Sequence, residues 1–313
     1  FKTWSETSYR IARLRDNPDC VDEEFEAAGR SNDAGLGVSL TFEPSVIKTP
    51  HIGTRPRIAV LREQGVNGQA EMAYAFHAAG FEAVDVHMSD VLEARIALSS
   101  FAGLVACGGF SYGDVLGAGQ GWARSILFNA RGREQFQSFL ADTSKFALGV
   151  CNGCQMFAAL QELVPGAEQW PMFRRNRSEQ FEARWTMVEI LESKSLFIAG
   201  MAGSRMPVAV AHGEGRAEFR LDSHLAAMQA NNQIAMRFVD RGGAVAARYP
   251  ANPNGSPAGI TSICNDDGRI TILMPHPERT IHGVTGSWWP RRETERTPWF
   301  RMFENARAWV SSV

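Results

Sequence analysis

Between Arg57 and Val150, short apolar runs alternate with segments whose apolar residues return at helical spacing. Ile58-Ala59-Val60-Leu61 is too short for a helix and too continuous for a half-exposed strand, so it predicts a strand buried on both faces. Gln69 to Ala79 carries Met72, Ala73, Phe76 and Ala79 on one helical face, and Gly80 supplies the stop. Ala83-Val84-Asp85-Val86, Leu104-Val105-Ala106-Cys107 and Phe146-Ala147-Leu148-Gly149-Val150 predict further strands, and Ser89-Asp90 predicts a helix cap. Strands separated by helices imply an α/β fold with an open, mostly parallel sheet flanked by helices. Beyond residue 184 the runs Trp185 to Leu191, Pro207 to Ala211, Ile234 to Val239, Ile260 to Cys264 and Ile270 to Met274 predict additional β strands in the C-terminal half. The turn-rich Pro250-Ala251-Asn252-Pro253-Asn254-Gly255-Ser256-Pro257 joins two of them, and Trp299 to Val310 predicts a closing amphipathic helix.

The opening segment has a different texture. Residues 1 to about 16 read as a helix that stops before Asn17-Pro18, because the residue preceding a proline disfavours the helical region. Asp22-Glu23-Glu24-Phe25-Glu26 and Ser31-Asn32-Asp33-Ala34-Gly35 have the composition of a solvated connector, and Val38 to Phe42 reads as a short extended segment before Pro50. This places a boundary near residue 54, with 1–53 a linker and 54–313 one large domain. The chain opens on Phe1 rather than Met, in mid-pattern, which reads as a fragment of a longer polypeptide.

Composition narrows the class. With 313 residues, 44% of them hydrophobic, the chain can bury a full core, and a net charge of −2 gives no global field for nucleic acid or an anionic membrane. No apolar run approaches the roughly 18 residues of a bilayer span and no signal peptide precedes the pattern, so a cytoplasmic protein is expected. Cys20, Cys107, Cys151, Cys154 and Cys264 are an odd, scattered set that fits reduced thiols. Arg174, Arg175, Asn176 and Arg177 form a basic run, either solvated surface or a docking surface. Trp288-Trp289-Pro290-Arg291-Arg292 mixes aromatics and cations, but Glu293 and Glu295 dilute its charge and argue against nucleic acid.

Candidate chemistry centres on Cys151. The apolar strand Phe146 to Val150 runs into it, Gly149 and Gly153 flank it with the freedom of a tight elbow, and Met156, Phe157, Leu160 and Leu163 follow at helical spacing. A thiolate is the reactive form of cysteine, and a helix start stabilises it. The amide of Asn152 would face an oxyanion, and a second amide is available from Gly108 or Gly109 after the neighbouring strand. Open parallel sheets bind ligands at the carboxyl ends of their strands, where Glu63-Gln64-Gly65, Gly108-Gly109-Phe110 and Cys151 all fall. Pro275-His276-Pro277-Glu278 supplies a base and a carboxylate two residues apart, on one side of an extended segment. The Cys151/Cys154 pair also allows a redox or half-zinc reading, although no second CxxC or close His pair completes a zinc site and no metal is expected. Peptidases, redox proteins and amidotransferases all remain open on these residues.

Longer motifs carry a resemblance. GVCNGCQ (149–155) with PHPE (275–278), CGGFSYGDVLGAG (107–119), VLREQGVNG (60–68), HGEGR (212–216) and YPANPNGSPAGI (249–260) together resemble the glutaminase domains of phosphoribosylformylglycinamidine synthases. These are class I (triad) glutamine amidotransferases with a flavodoxin-like sheet. The resemblance covers residues 54–313 and implies a Cys151, His276, Glu278 triad that hydrolyses L-glutamine through a γ-glutamyl thioester. It implies an oxyanion hole at Gly108 and Asn152 and glutamine contacts from Phe110, Gln155, His212 and Gly213. It further implies that residues 1–53 lead out of a synthetase half outside this sequence. That half would bind ATP and Mg²⁺, receive the ammonia, and make formylglycinamidine ribonucleotide in purine biosynthesis; this piece itself would hold no cofactor.

Overall fold

The computed structural model describes residues 2–29, 33–44, 53–289 and 296–312. Its strands are β1 (Arg57–Arg62), β2 (Glu82–His87), β3 (Gly103–Ala106), β4 (Phe146–Val150), β5 (Met172–Arg174), β6 (Glu182–Ile190), β7 (Arg205–His212), β8 (Arg216–Glu218), β9 (Ile234–Phe238), β10 (Ile260–Cys264) and β11 (Ile270–Leu273). Its helices are α1 (Lys2–Arg15), α2 (Pro18–Ala28), α3 (Gln69–Ala78), α4 (Met88–Leu92), α5 (Gln120–Leu127), α6 (Ala130–Ala141), α7 (Asn152–Ala159), α8 (Asp222–Ala230) and α9 (Arg301–Val310).

Nine strands form one sheet in the order β2-β1-β3-β4-β11-β10-β9-β6-β7. The core of this mixed sheet, β2 to β11, is parallel, and the later strands extend the same sheet with antiparallel pairing. Every residue of β3, β4 and β11 is buried, as continuous apolar strands covered on both faces require. Phe146 of β4 anchors one layer, with its ring centroid 5.8 Å from that of Phe81, 5.7 Å from Phe197 and 6.2 Å from Trp309 of α9. Burying one such ring contributes about 1.5–3 kcal/mol. Among the described residues no helix is long and apolar enough to cross a membrane.

Several expectations need correction. The acidic stretch at 22–26 is helical rather than irregular. Asn17 caps α2 by accepting from the Cys20 amide at 3.1 Å, and Pro18 stands in the first turn, where its missing N–H is no loss. Val38 to Phe42 makes a single bridge, Ser39 to Arg205, rather than a strand. Helix α4 is capped by His87, whose side chain accepts from the Ser89 amide at 3.2 Å; Ser89 and Asp90 lie inside its first turn.

The basic run docks onto the chain itself. Arg177 forms a two-bond fork with Glu23 of α2 at 3.0 and 3.1 Å, Arg174 pairs with Glu218, and Arg175 lies near Glu179. Helix α2 is therefore moored to the loop that carries Arg177. In the Trp-Trp-Pro-Arg-Arg stretch, Trp289 packs near Trp185 at 6.3 Å, while Pro290, Arg291, Arg292, Glu293 and Glu295 lie outside the described residues, as does Pro50.

Candidate active site

β4 ends at Val150 and α7 begins at Asn152, so Cys151 alone makes the turn from strand to helix. It does so at φ 52° and ψ −107°, a conformation that costs an L-residue about 1–3 kcal/mol. The tight turn assigned to the flanking glycines thus belongs to the cysteine. Gly153 answers instead to packing, because a Cβ there would stand 2.1 Å from the Ala106 carbonyl oxygen. This close approach seats the start of α7 on β3. The Cys151 thiol is almost fully buried and its Sγ lies 3.6 Å from the Ala211 carbonyl.

The neighbouring strand β11 delivers the base. After it, the His276 amide donates to the Ala209 carbonyl at 2.8 Å, and Pro277 opens a single 3₁₀ turn. The segment is not extended as the two-residue spacing suggests; the turn brings Glu278 Oε1 to 2.6 Å from His276 Nδ1. Both side chains are buried, and His276 Nε2 has no hydrogen-bond partner among the described residues. Burial works against a charged ring, but Glu278 and Cys151 outweigh it and raise the His276 pKa to about 10.

Gly108 forms the floor between nucleophile and base. A Cβ there would stand 2.7 Å from His276 Cε1 and 3.4 Å from Cys151 Cβ. The adjacent Gly109 sits at φ 147°, a region open to glycine, and pairs with Val66. The Gly108 carbonyl is turned away, accepting from the amides of Asn67 at 3.0 Å and Gly68 at 3.3 Å. The backbone N–H groups of Gly108 and Asn152 have no acceptor among the described residues.

Cys151, His276, Phe110, Gln155, His212 and Gly213 line one cavity of about 160 Å³, below the roughly 300 Å³ at which drug-sized sites begin. Phe110 is half-exposed at its mouth, 6.0 Å from the ring of Phe181. His212 is buried, and burial together with the nearby His276 lowers its pKa to about 3, so it stays neutral. Gln155 is held on both sides. Its Nε2 donates to the Glu214 carbonyl at 2.6 Å and its Oε1 accepts from Asn152 Nδ2 at 3.3 Å. Asn152 also accepts from the Ser111 amide at 3.2 Å.

Asp114, Glu214 and Arg279 border the same cavity, and none of them was singled out from sequence. The first two stand inside motifs that were, CGGFSYGDVLGAG and HGEGR; an acid within a glycine-rich loop near the nucleophile was the available signal. Cys154, by contrast, is fully buried and burial pushes its thiol well up, which disfavours a dithiol pair. Among the described residues no three His, Cys, Asp or Glu side chains gather as a metal site. Gly108 and Asn152, the two predicted oxyanion donors, adjoin Cys151 but do not line the cavity. A thiol at a helix start and a buried imidazole held by a carboxylate, both opening on one small cavity with two unpaired amides beside the nucleophile, can support attack on the carbonyl carbon of a small molecule.

Comparison with known proteins agrees on the scaffold. Residues 55–310 match the CobB/CobQ-like glutamine amidotransferase domain. Among solved structures, PurLQS from Thermotoga maritima superposes with a TM-score of 0.61 at 23% identity, covering 82% of this chain and 100% of that one. A glutamine amidotransferase from Thermotoga maritima gives 0.44 at 16% identity over 74% and 80% of the two chains.

Proposed function

Because the chain belongs to the CobB/CobQ-like glutamine amidotransferase domain family, we propose that it hydrolyses L-glutamine to glutamate and ammonia through a thioester on Cys151. The observation that carries this reading is the buried His276–Glu278 pair, whose unpartnered Nε2 shares a small cavity with a strained cysteine. Cys151 Sγ attacks the side-chain amide carbon, and the unpaired amides of Gly108 and Asn152 receive the developing oxyanion. His276, holding the thiol's proton, gives it to the leaving nitrogen, and ammonia departs. Water then attacks the thioester, His276 takes its proton, and the thiolate leaves with glutamate as product. Glu278 holds the ring through Nδ1 so that Nε2 faces the reaction, and stabilises the imidazolium.

The ammonia acceptor we assign to a synthetase half that binds ATP and Mg²⁺ and converts formylglycinamide ribonucleotide to formylglycinamidine ribonucleotide. The long motifs at 107–119, 212–216 and 249–260 support this finer reading. Its test is reconstitution with such a synthetase: glutamine-dependent amidine formation should require this chain and disappear in Cys151→Ala, with free ammonia restoring it. For the glutaminase step itself, a glutamine-mimicking diazo ketone should add one label at Cys151. Labelling at Cys154 instead would overturn the assignment.

A further inference from the structure

Two stretches that stand out in the sequence, Arg174 to Arg177 and Tyr249 to Ile260, meet behind the cavity wall made by His212, Gly213 and Glu214. β7 ends at His212, and past it buried asparagine side chains take the place of ladder partners. Asn176 Nδ2 donates to the His212 carbonyl at 2.7 Å, and Asn176 Oδ1 accepts from the Gly215 amide at 2.9 Å. The Asn176 amide in turn donates to the Gly213 carbonyl at 2.9 Å. Asn254 is fully buried and oriented by two backbone groups that can each act in one way only. Its Oδ1 accepts from the Ser256 amide at 3.0 Å and its Nδ2 donates to the Gly215 carbonyl at 2.8 Å. The same Nδ2 lies 3.4 Å from His212 Nε2. The wall comes this near the ring because residue 215 is a glycine; a Cβ there would stand 2.2 Å from that Nε2.

An N–H aimed at a ring nitrogen requires that nitrogen to be bare. With a proton on His212 Nε2, two donors would face each other in a buried site, leaving one of them unsatisfied. We propose that Asn254 is a positioning residue that keeps the His212 proton on Nδ1, so that of the two imidazoles lining the cavity His276 is the one that exchanges protons with thiol and substrate. This rests on the glutaminase reading above. The tautomer matters because both rings share one small space, where a second imidazolium would oppose the one on His276. The other titratable or charged groups around His212 are Glu182, its partner in the β6–β7 ladder, and Cys151, Asp114, Glu214 and Arg279 along the cavity. Among the described residues none of these five is hydrogen-bonded to the His212 ring, which leaves Asn254 to choose between its nitrogens.

The test is a long-range ¹⁵N–¹H correlation spectrum of the full chain, with the His212 signals assigned by their loss in His212→Gln. Wild type should show a bare Nε2 and a protonated Nδ1 between about pH 6 and 8. Asn254→Asp sets a carboxylate oxygen against Nε2. It should draw the proton to Nε2 and raise the glutamine needed for half-protection of Cys151 from iodoacetamide about 10-fold. Asn252→Asp breaks bonds to the Ala246 and Ser256 carbonyls in the same turn and should leave the His212 signals in place. A proton on Nε2 in wild type would overturn the assignment, and that spectrum decides even where a variant does not fold. So would an unchanged tautomer or glutamine requirement in Asn254→Asp, or the same change in Asn252→Asp. Failure of the glutaminase reading looks different: the wild-type spectrum is as expected, but glutamine gives no protection and no glutamate is released, even with a synthetase present.

Discussion

At the scale of single residues, the site depends on charges and angles that a linear pattern carries unevenly. Cys151, His276 and Glu278 were legible because a glycine-flanked cysteine after an apolar strand and a proline-framed His-x-Glu are unusual local patterns. Asp114 and Glu214 stood only inside longer motifs, since which acids reach the cavity is a property of three-dimensional surroundings rather than of neighbours in sequence. The neutrality of His212 is hidden for the same reason. Glu278 is the residue on which the charge balance turns. Replacing it with Gln removes the main group opposing the burial penalty on His276, so the ring's pKa should fall and the imidazolium be lost at lower pH than in wild type. For Glu278→Gln we expect glutaminase kcat to drop on the order of 100- to 10,000-fold. A steady-state assay over a pH series checks this; a profile and rate equal to wild type would show that the carboxylate does not act through His276.

At the scale of elements, what could be read was whatever a continuous apolar run announces. β1, β3, β4 and β11 stand within about a residue or two of the predicted runs because burial on both faces leaves no polar position to blur them. Helix α2 was hidden by its acidic composition, although Asn17 and Pro18 were present as start signals. The merging of the later strands with the parallel core was not legible either, because ladder partners such as β10 and β9 are chosen by tertiary packing. The contact of α7 with β3 is the element-level constraint most open to test. Gly153→Ala would drive a methyl group to 2.1 Å from the Ala106 oxygen, so α7 must shift away from the sheet. We expect about 3 kcal/mol of lost stability in urea denaturation, together with slower alkylation of Cys151 as the elbow relaxes. A stability within about 0.5 kcal/mol of wild type would show that the elbow tolerates the shift.

At the scale of the whole molecule, helix α2 is moored by charge. Glu23 accepts the fork from Arg177 and the Tyr249 amide at 2.7 Å; burial alone would raise its pKa, but these partners hold it below the ordinary 4.5. A depressed carboxylate pKa adds stability above its unfolded value and loses it as pH falls through the folded value. Glu23→Gln should therefore cost about 1–2 kcal/mol at neutral pH, and the gap from wild type should close as pH drops below about 4.5. Denaturation curves at two pH values measure this; a gap independent of pH would mean that packing, not charge, holds α2 in place. The pairing of β4 with β11 has a different reach. Val150 lies opposite Leu273, and the Cys151 amide donates to the Leu273 carbonyl at 2.8 Å. The strand that ends at the nucleophile and the strand that leads to the base, remote along the chain, thus run side by side about one strand spacing of 4.8 Å apart. The long excursion between them is a tether rather than ballast: it returns the Ala209 carbonyl that holds the His276 amide and the His212, Gly213 and Glu214 of the cavity. Its surface loops can lengthen or shorten at a cost that grows only slowly with loop length, while a one-residue slip of β11 would turn every one of its side chains to the opposite face.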